Sequence, residues 1–157
     1  MKKVQAMLRV AWFPISVIAI VLAAVLPARA IELQPGQWRD VETGTENGEQ
    51  VPPETFMTCL TPAETKDLIK AFSPEKEVKA LKGKCQTLES KLTPTGYSMR
   101  VKCGDPDVFA LDVTANYTFT SPQSYTATMR TFVTTAGAPS ALNKKVEGRW
   151  VSATCTR

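Results

Sequence analysis

Apolar and polar residues alternate along most of the chain after residue 84, as in β-strands with one buried and one exposed face. The clearest runs are residues 97–103 and 109–119, and shorter strand-like runs begin near Gly36, Glu54 and Lys145. The inward rows contain Tyr97, Met99, Phe109, Tyr117, Tyr125 and Met129. About seven strands result. The sequence therefore predicts a mainly β domain, an antiparallel meander curled into a barrel or half-barrel.

A helical insertion is predicted between the second and third strands, at about residues 61–83. Thr61 and Glu64 have the spacing of a capping box, and Pro62 suits the first helical position. Ser73-Pro74 repeats the start signal, so a second short helix should run to about Lys82. Loops are predicted at residues 45–53, around Asn47-Gly48, and at residues 134–143.

The first and last strands share a G-x-W triplet, ending at Trp38 and at Trp150. We hypothesise that the two ends of the meander lie side by side with both tryptophans in the core, which would remove exposed strand edges. Chance recurrence of the triplet is the alternative.

Residues 1–30 have the features of a cleaved signal peptide. Lys2 and Lys3 give a basic start, residues 17–26 are an unbroken apolar run, and the segment ends in A-x-A. An uncleaved anchor starting near Val10 is the alternative. We therefore expect residues 31–157 to form one periplasmic domain, with no stable membrane anchor after cleavage.

Charge changes the picture once the leader is set aside. The whole chain has 19 basic and 15 acidic residues, and the leader holds four of the basic ones and none of the acidic ones. The remainder carries 15 of each. A nucleic-acid partner is not expected, because such an interface needs a surplus of positive charge on one face.

Four cysteines, Cys59, Cys85, Cys103 and Cys155, all lie in the exported part. An even count in an oxidising compartment predicts two disulfides. The sequence allows all three pairings. We prefer Cys59–Cys85, which would close the helical insertion, and Cys103–Cys155, which would tie the last strand to the sheet.

Histidine is absent from the chain, which excludes a Ser-His-Asp triad, a Cys-His pair and the common zinc sites. The cysteine spacings match no zinc pattern, and no C-x-x-C redox motif occurs. We therefore expect no catalytic residues, no metal and no cofactor, and a protein that is not an enzyme.

Three motifs together resemble a known family. They are P-G-x-W (Pro35, Gly36, Trp38), C-L-T-P-x-E (Cys59, Leu60, Thr61, Pro62, Glu64), and a G-R pair (Gly148, Arg149) shortly before the last cysteine. With the four-cysteine frame, they resemble the small bacterial periplasmic proteins of domain-of-unknown-function family 3617. That family has no established activity, so the resemblance implies a compartment and no reaction.

Two functions follow as expectations. The first is a non-catalytic envelope protein whose inward aromatic and methionine residues bind a small apolar or amphipathic ligand; the simpler interpretation, which we favour from sequence, is that they fill a solid core. The second is an interaction or stability factor for other periplasmic or outer-membrane proteins. It would use the helical insertion or the polar sheet face, represented by Arg100, Lys102, Asp112, Asn116 and Arg130.

Overall fold

The computed structural model describes residues 32–156, which form one seven-stranded antiparallel sheet. The strands are β1 Gly36–Glu46, β2 Glu49–Leu60, β3 Cys85–Thr93, β4 Gly96–Asp105, β5 Phe109–Ser121, β6 Ser124–Thr135 and β7 Ala138–Ser152. Their order across the sheet is β2-β1-β7-β6-β5-β4-β3. The predicted mainly β meander is confirmed. The predicted signal peptide lies outside the described residues.

The sheet is open, and its outermost strands in the described chain are β2 and β3. This excludes the closed barrel that the sequence left possible. Side chains from six neighbouring strands, β2, β1, β7, β6, β5 and β4, nevertheless line one common cavity. The sheet therefore curls around its inner face in the manner of a half-barrel.

The two ends of the meander do lie side by side, since Trp38 of β1 pairs directly with Trp150 of β7. Trp38 is fully buried, whereas Trp150 is only half-buried. The expectation that this pairing removes exposed edges is wrong. β2 pairs with the other side of β1, so β2 is itself an exposed edge strand of the sheet.

Both predicted loops are instead tight turns between long strands. Residues 45–53 turn only at Asn47-Gly48, where both residues have positive φ. Residues 134–143 turn only at Ala136-Gly137. Both segments contain proline, which the strands tolerate for a geometric reason. Pro52 lies in the edge strand β2, and Pro139 lies where β7 extends past its pairing with β1.

The helical insertion, residues 61–84, crosses the inner face of the sheet, and we call it the helical cover. Its helices are shorter than predicted: α1 is Leu68–Ala71, α2 is Pro74–Glu77, and a 3-10 helix spans Lys79–Leu81. The Thr61–Glu64 capping contacts form, but they close a turn and do not start a helix. Among the described residues, no helix has the length and apolar character needed to cross a membrane.

The disulfides are Cys59–Cys155 and Cys85–Cys103, so the preferred pairing was wrong. Cys85 lies directly opposite Cys103 in the β3–β4 ladder. Cys59 is the next-to-last residue of β2. Its disulfide partner Cys155 follows β7, which is two strands away because β1 lies between β2 and β7. Two disulfides are consistent with an oxidising compartment.

The core lies between the inner sheet face and the helical cover. Leu68, Ala71 and Leu81 of the cover are buried against inward residues of the sheet. The two disulfides flank the cover, with Cys59 just before it and Cys85 just after it. The cover is thereby fixed over the sheet at both of its ends.

Candidate functional site

A cavity of about 560 Å³ lies between the inner sheet face and the helical cover. We call it the inner cavity. Its sheet walls come from β2, β1, β7, β6, β5 and β4, and its roof comes from residues 71–78. The residues that the argument below uses are Asp40, Glu42, Phe56, Phe72, Lys76, Met99, Val113, Tyr117, Tyr125, Met129, Lys144 and Val146.

The floor of the inner cavity is apolar. Of the six residues predicted to line a pocket, the structure places four there: Met99, Tyr117, Tyr125 and Met129. Tyr97 is buried in the core and Phe109 packs against it, and neither contributes to the cavity wall. An apolar-lined space of this size is what ligand pockets of globular proteins present.

Phe72 of the cover holds the roof onto the floor. Its ring centroid lies 4.3 Å from that of Tyr117, 5.6 Å from that of Tyr125 and 6.3 Å from that of Phe119. Aromatic pairs at such distances attract each other beyond their area burial. Phe72 therefore packs the helical cover against three aromatic residues of the sheet.

A buried carboxylate lies in the wall of the inner cavity. Asp40 of β1 is 7% exposed, and its carboxylate accepts hydrogen bonds from Tyr125 Oη at 2.8 Å and Thr58 Oγ1 at 2.7 Å. Tyr125 belongs to β6, two strands from β1. It reaches Asp40 by lying across Gly148 of β7, which is paired with both residues.

Gly148 is required for that reach. A Cβ built on Gly148 would lie 2.1 Å from the nearest carbon of the Tyr125 ring, a severe overlap. We expect Gly148→Ala to displace the ring and break its hydrogen bond to Asp40, lowering the free energy of unfolding by about 2–3 kcal/mol, since overpacking and a lost buried hydrogen bond each cost roughly 1–3 kcal/mol. Urea unfolding measures this. A loss smaller than about 1 kcal/mol would contradict it.

The pKa of Tyr125 is raised above its ordinary value near 10. Burial of the phenol is the main cause, and the negative charge of Asp40 adds to it. Tyr125 in the folded protein therefore stays protonated at pH values where it ionises in the unfolded chain.

This raised pKa predicts a pH dependence of stability. The contribution of the Tyr125 proton is complete below pH 10 and is lost as pH rises above 10, because only the unfolded state then releases the proton. We expect the free energy of unfolding to fall by up to about 1.4 kcal/mol per pH unit from this group. In the Tyr125→Phe variant, this contribution to the pH dependence of the free energy of unfolding should be absent. Equal slopes for the two proteins between pH 10 and 11 would contradict the assignment.

Two lysines in the wall of the inner cavity form ion pairs. Lys144 of β7 pairs with Glu42 of β1, and Lys76 of the cover pairs with Glu64 at 3.0 Å. Burial raises the pKa of Glu64, but hydrogen bonds from Thr61 and Lys76 outweigh it and leave that pKa below its ordinary value. Each lysine in the cavity wall is thus matched by its own carboxylate.

Sequence reasoning missed the polar part of this site. Asp40 and Glu42 follow Trp38 at intervals of two, and Lys144 precedes Val146 by two, so all three share the inner face with apolar neighbours. The period-2 pattern was the available signal. A charged residue at an inward position of a strand marks a site that the core has to accommodate.

A second depression, of about 490 Å³, lies on the outer face. It is lined mainly by threonine, asparagine, glutamine and basic side chains, including the predicted Asn116 and Arg130. Arg100 and Lys102 instead pair with Asp112 at 3.1 and 3.5 Å, and hydrogen bonding to Arg100 lowers the Asp112 pKa. This is a solvated polar face, and no group of three potential metal ligands occurs within residues 32–156.

The motif residues cluster around the Trp38 end of the sheet. Trp38 Nε1 donates to Gln34 O and Trp150 Nε1 donates to Pro35 O, both at 3.0 Å. A Cβ on Gly36 would clash with the backbone of Ser152. These contacts place the P-G-x-W segment against the end of β7.

The C-L-T-P-x-E segment joins β2 to the cover. Leu60 is buried in the core, Thr61 and Glu64 form the capping contacts, and Pro62 O accepts a hydrogen bond from Thr65 Oγ1 at 3.2 Å. Of the G-R pair, Gly148 leaves room for the Tyr125 ring, whereas Arg149 is exposed on the outer face.

These features define an open-sheet, disulfide-bonded β protein with a roofed apolar cavity. A family model described as "protein of unknown function (DUF3617)" matches residues 33–155, and the chain belongs to that family. No curated protein and no solved structure matches the chain.

Proposed function

We propose that this protein is an exported, non-catalytic envelope protein that binds one small amphipathic ligand in the inner cavity. The observation that carries the proposal is the 560 Å³ space with an apolar floor and a few polar groups in its wall. Small-molecule sites in proteins have this size and this mixture of walls. Without such a space, the inward aromatic and methionine residues would simply fill a solid core, which is the alternative interpretation from the sequence.

Export and a periplasmic location are supported by two features. One is the signal-peptide pattern of residues 1–30, and the other is the pair of disulfides. We expect the mature N-terminus to be Ile31, which N-terminal sequencing of protein purified from the periplasm tests.

A non-catalytic role is supported by what the cavity groups already do. Asp40 accepts hydrogen bonds from Tyr125 and Thr58, and Glu42 holds Lys144. Acid–base catalysis most often uses histidine, and this chain has none. The polar groups are arranged to orient a bound molecule.

Filling the cavity tests the proposal. Met129→Trp puts a larger side chain into the inner cavity, and Thr128→Trp puts the same side chain on the outer face one residue away. With dodecyl maltoside below its micellar concentration, calorimetry should give one site per chain in the native protein and in Thr128→Trp. We expect Met129→Trp to weaken binding at least about tenfold, which is ~1.4 kcal/mol. Equal affinity in all three proteins would refute the proposal.

A second candidate function is an interaction or stability factor for other envelope proteins. It is favoured by edge strand β2, which exposes Phe56 and Met57, 42% and 53% accessible, at a sheet edge able to pair with another chain. Thr55→Lys, in the same edge strand but outside the inner cavity wall, would block such pairing and leave ligand binding intact. Unchanged cross-linking of this variant to its neighbours in cells would speak against the candidate.

A further inference from the structure

We infer that the ligand of the inner cavity is an amphiphile whose head group has no net charge, and that Glu42 excludes anionic amphiphiles by neutralising Lys144. This inference rests on the proposed function. It concerns the chemistry of the head group, which the apolar floor does not determine.

The apolar floor of the inner cavity favours a ligand with an apolar tail. Val113, Met129 and Val146, on adjacent parts of β5, β6 and β7, are apolar, and Met99 and Tyr117 extend this surface. A bound molecule gains by removing alkyl or aromatic surface from water against these side chains. Free sugars and salts lack such surface.

The two ion pairs determine which charge the head group of the ligand can carry. The Lys144 and Glu42 side chains are 27% and 19% exposed, and those of Lys76 and Glu64 are 32% and 24% exposed, so all four are partly withdrawn from water. An anionic head approaching Lys144 would also meet the Glu42 carboxylate. A cationic head approaching Glu42 would meet the Lys144 ammonium.

A head without net charge avoids both repulsions. A nonionic head can donate to Glu42 and accept from Lys144 without breaking the pair, and a zwitterionic head can match both charges. A singly charged head must instead lose its hydration near an already neutral pair, which is unfavourable in a partly buried site.

Four amphiphiles with the same twelve-carbon tail test this inference below their micellar concentrations. They are dodecyl maltoside (nonionic), dodecylphosphocholine (zwitterionic), dodecanoate (anionic) and dodecyltrimethylammonium (cationic). We expect the first two to bind the native protein at least about tenfold more tightly than the last two.

Two variants should reverse the selectivity. Glu42→Gln leaves Lys144 without its carboxylate, so we expect dodecanoate to bind about tenfold more tightly than to the native protein, with dodecyl maltoside changed less than about twofold. Lys144→Gln should instead tighten binding of dodecyltrimethylammonium. Glu147→Gln, on the exposed face of β7, is the matched control and should change no affinity.

The possible failures are separable. If none of the four amphiphiles binds the native protein, the proposed function fails and the inference falls with it. If all four bind with similar affinity, or if dodecanoate binding ignores Glu42→Gln while that variant retains native circular dichroism, the cavity binds amphiphiles but the head-group inference is wrong. Lys144→Gln gives an independent measure if Glu42→Gln does not fold.

Discussion

Removal of the Cys59–Cys155 disulfide should lower the free energy of unfolding more than removal of Cys85–Cys103. The bonds join residues 96 and 18 positions apart. In the chain-entropy model, a loop of about 100 residues is worth ~4.7 kcal/mol and one of about 15 residues ~3 kcal/mol. We therefore expect Cys59→Ala/Cys155→Ala to cost about 1.5 kcal/mol more than Cys85→Ala/Cys103→Ala.

Urea unfolding of the two double variants measures this difference directly, because each retains the other disulfide and neither leaves an unpaired thiol. A larger loss for Cys85→Ala/Cys103→Ala would show that packing at the β3–β4 ladder outweighs loop closure. Peptide mapping of the unreduced native protein checks the pairing itself.

Replacing Trp38 by alanine should lower the free energy of unfolding by about 3–5 kcal/mol, as for other large buried aromatic residues. Trp38 has no exposed surface, and its ring centroid lies 5.5 Å from that of Tyr125. Its loss would enlarge the inner cavity, whose wall it helps to form.

Trp150 provides a matched control for this substitution. It lies opposite Trp38 in the β1–β7 ladder, and its indole makes an equivalent 3.0 Å hydrogen bond to a backbone oxygen, but it is only half-buried. Trp150→Ala should therefore cost clearly less. Equal losses would mean that the indole hydrogen bonds, and not burial, determine the stability contribution of Trp38.

Local pattern was sufficient for the strands and for most of the cavity floor. Alternation along residues 97–103 and 109–119 identified the inward face, because a sheet with one packed face leaves a period-2 record in the sequence. It also placed Met99, Tyr117, Tyr125 and Met129 on that face. Local propensity gave the Asn47-Gly48 turn but overestimated the loop, because β2 pairs with β1 on both sides of Pro52, which lies at an irregularity in the ladder.

Strand order could not be predicted, and the disulfide error follows from it. A simple meander places β2 beside β3, which brings Cys59 near Cys85. The sheet instead places β2 and β3 at opposite edges. Long-range pairing of β1 with β7 causes this, and only the repeated G-x-W triplet hinted at it.

The polar groups of the cavity depend on the same long-range pairing. Asp40, Gly148 and Tyr125 lie on three adjacent strands and are far apart in sequence. Nothing local links them. Their contact requires the β1–β7–β6 order, as does the Glu42–Lys144 ion pair.

The central claim is that an amphiphile enters the space between sheet and cover, and methionine methyl NMR locates it. Residues 32–156 contain Met57, Met99 and Met129; all three line the inner cavity, Met99 and Met129 on its floor and Met57, half-exposed, on the edge strand β2. On titration with dodecyl maltoside, we predict that the methyl signals of Met99 and Met129 shift and reach a plateau at one ligand per chain. Methyl signals of Met99 and Met129 that stay unchanged at saturating amphiphile would contradict the account.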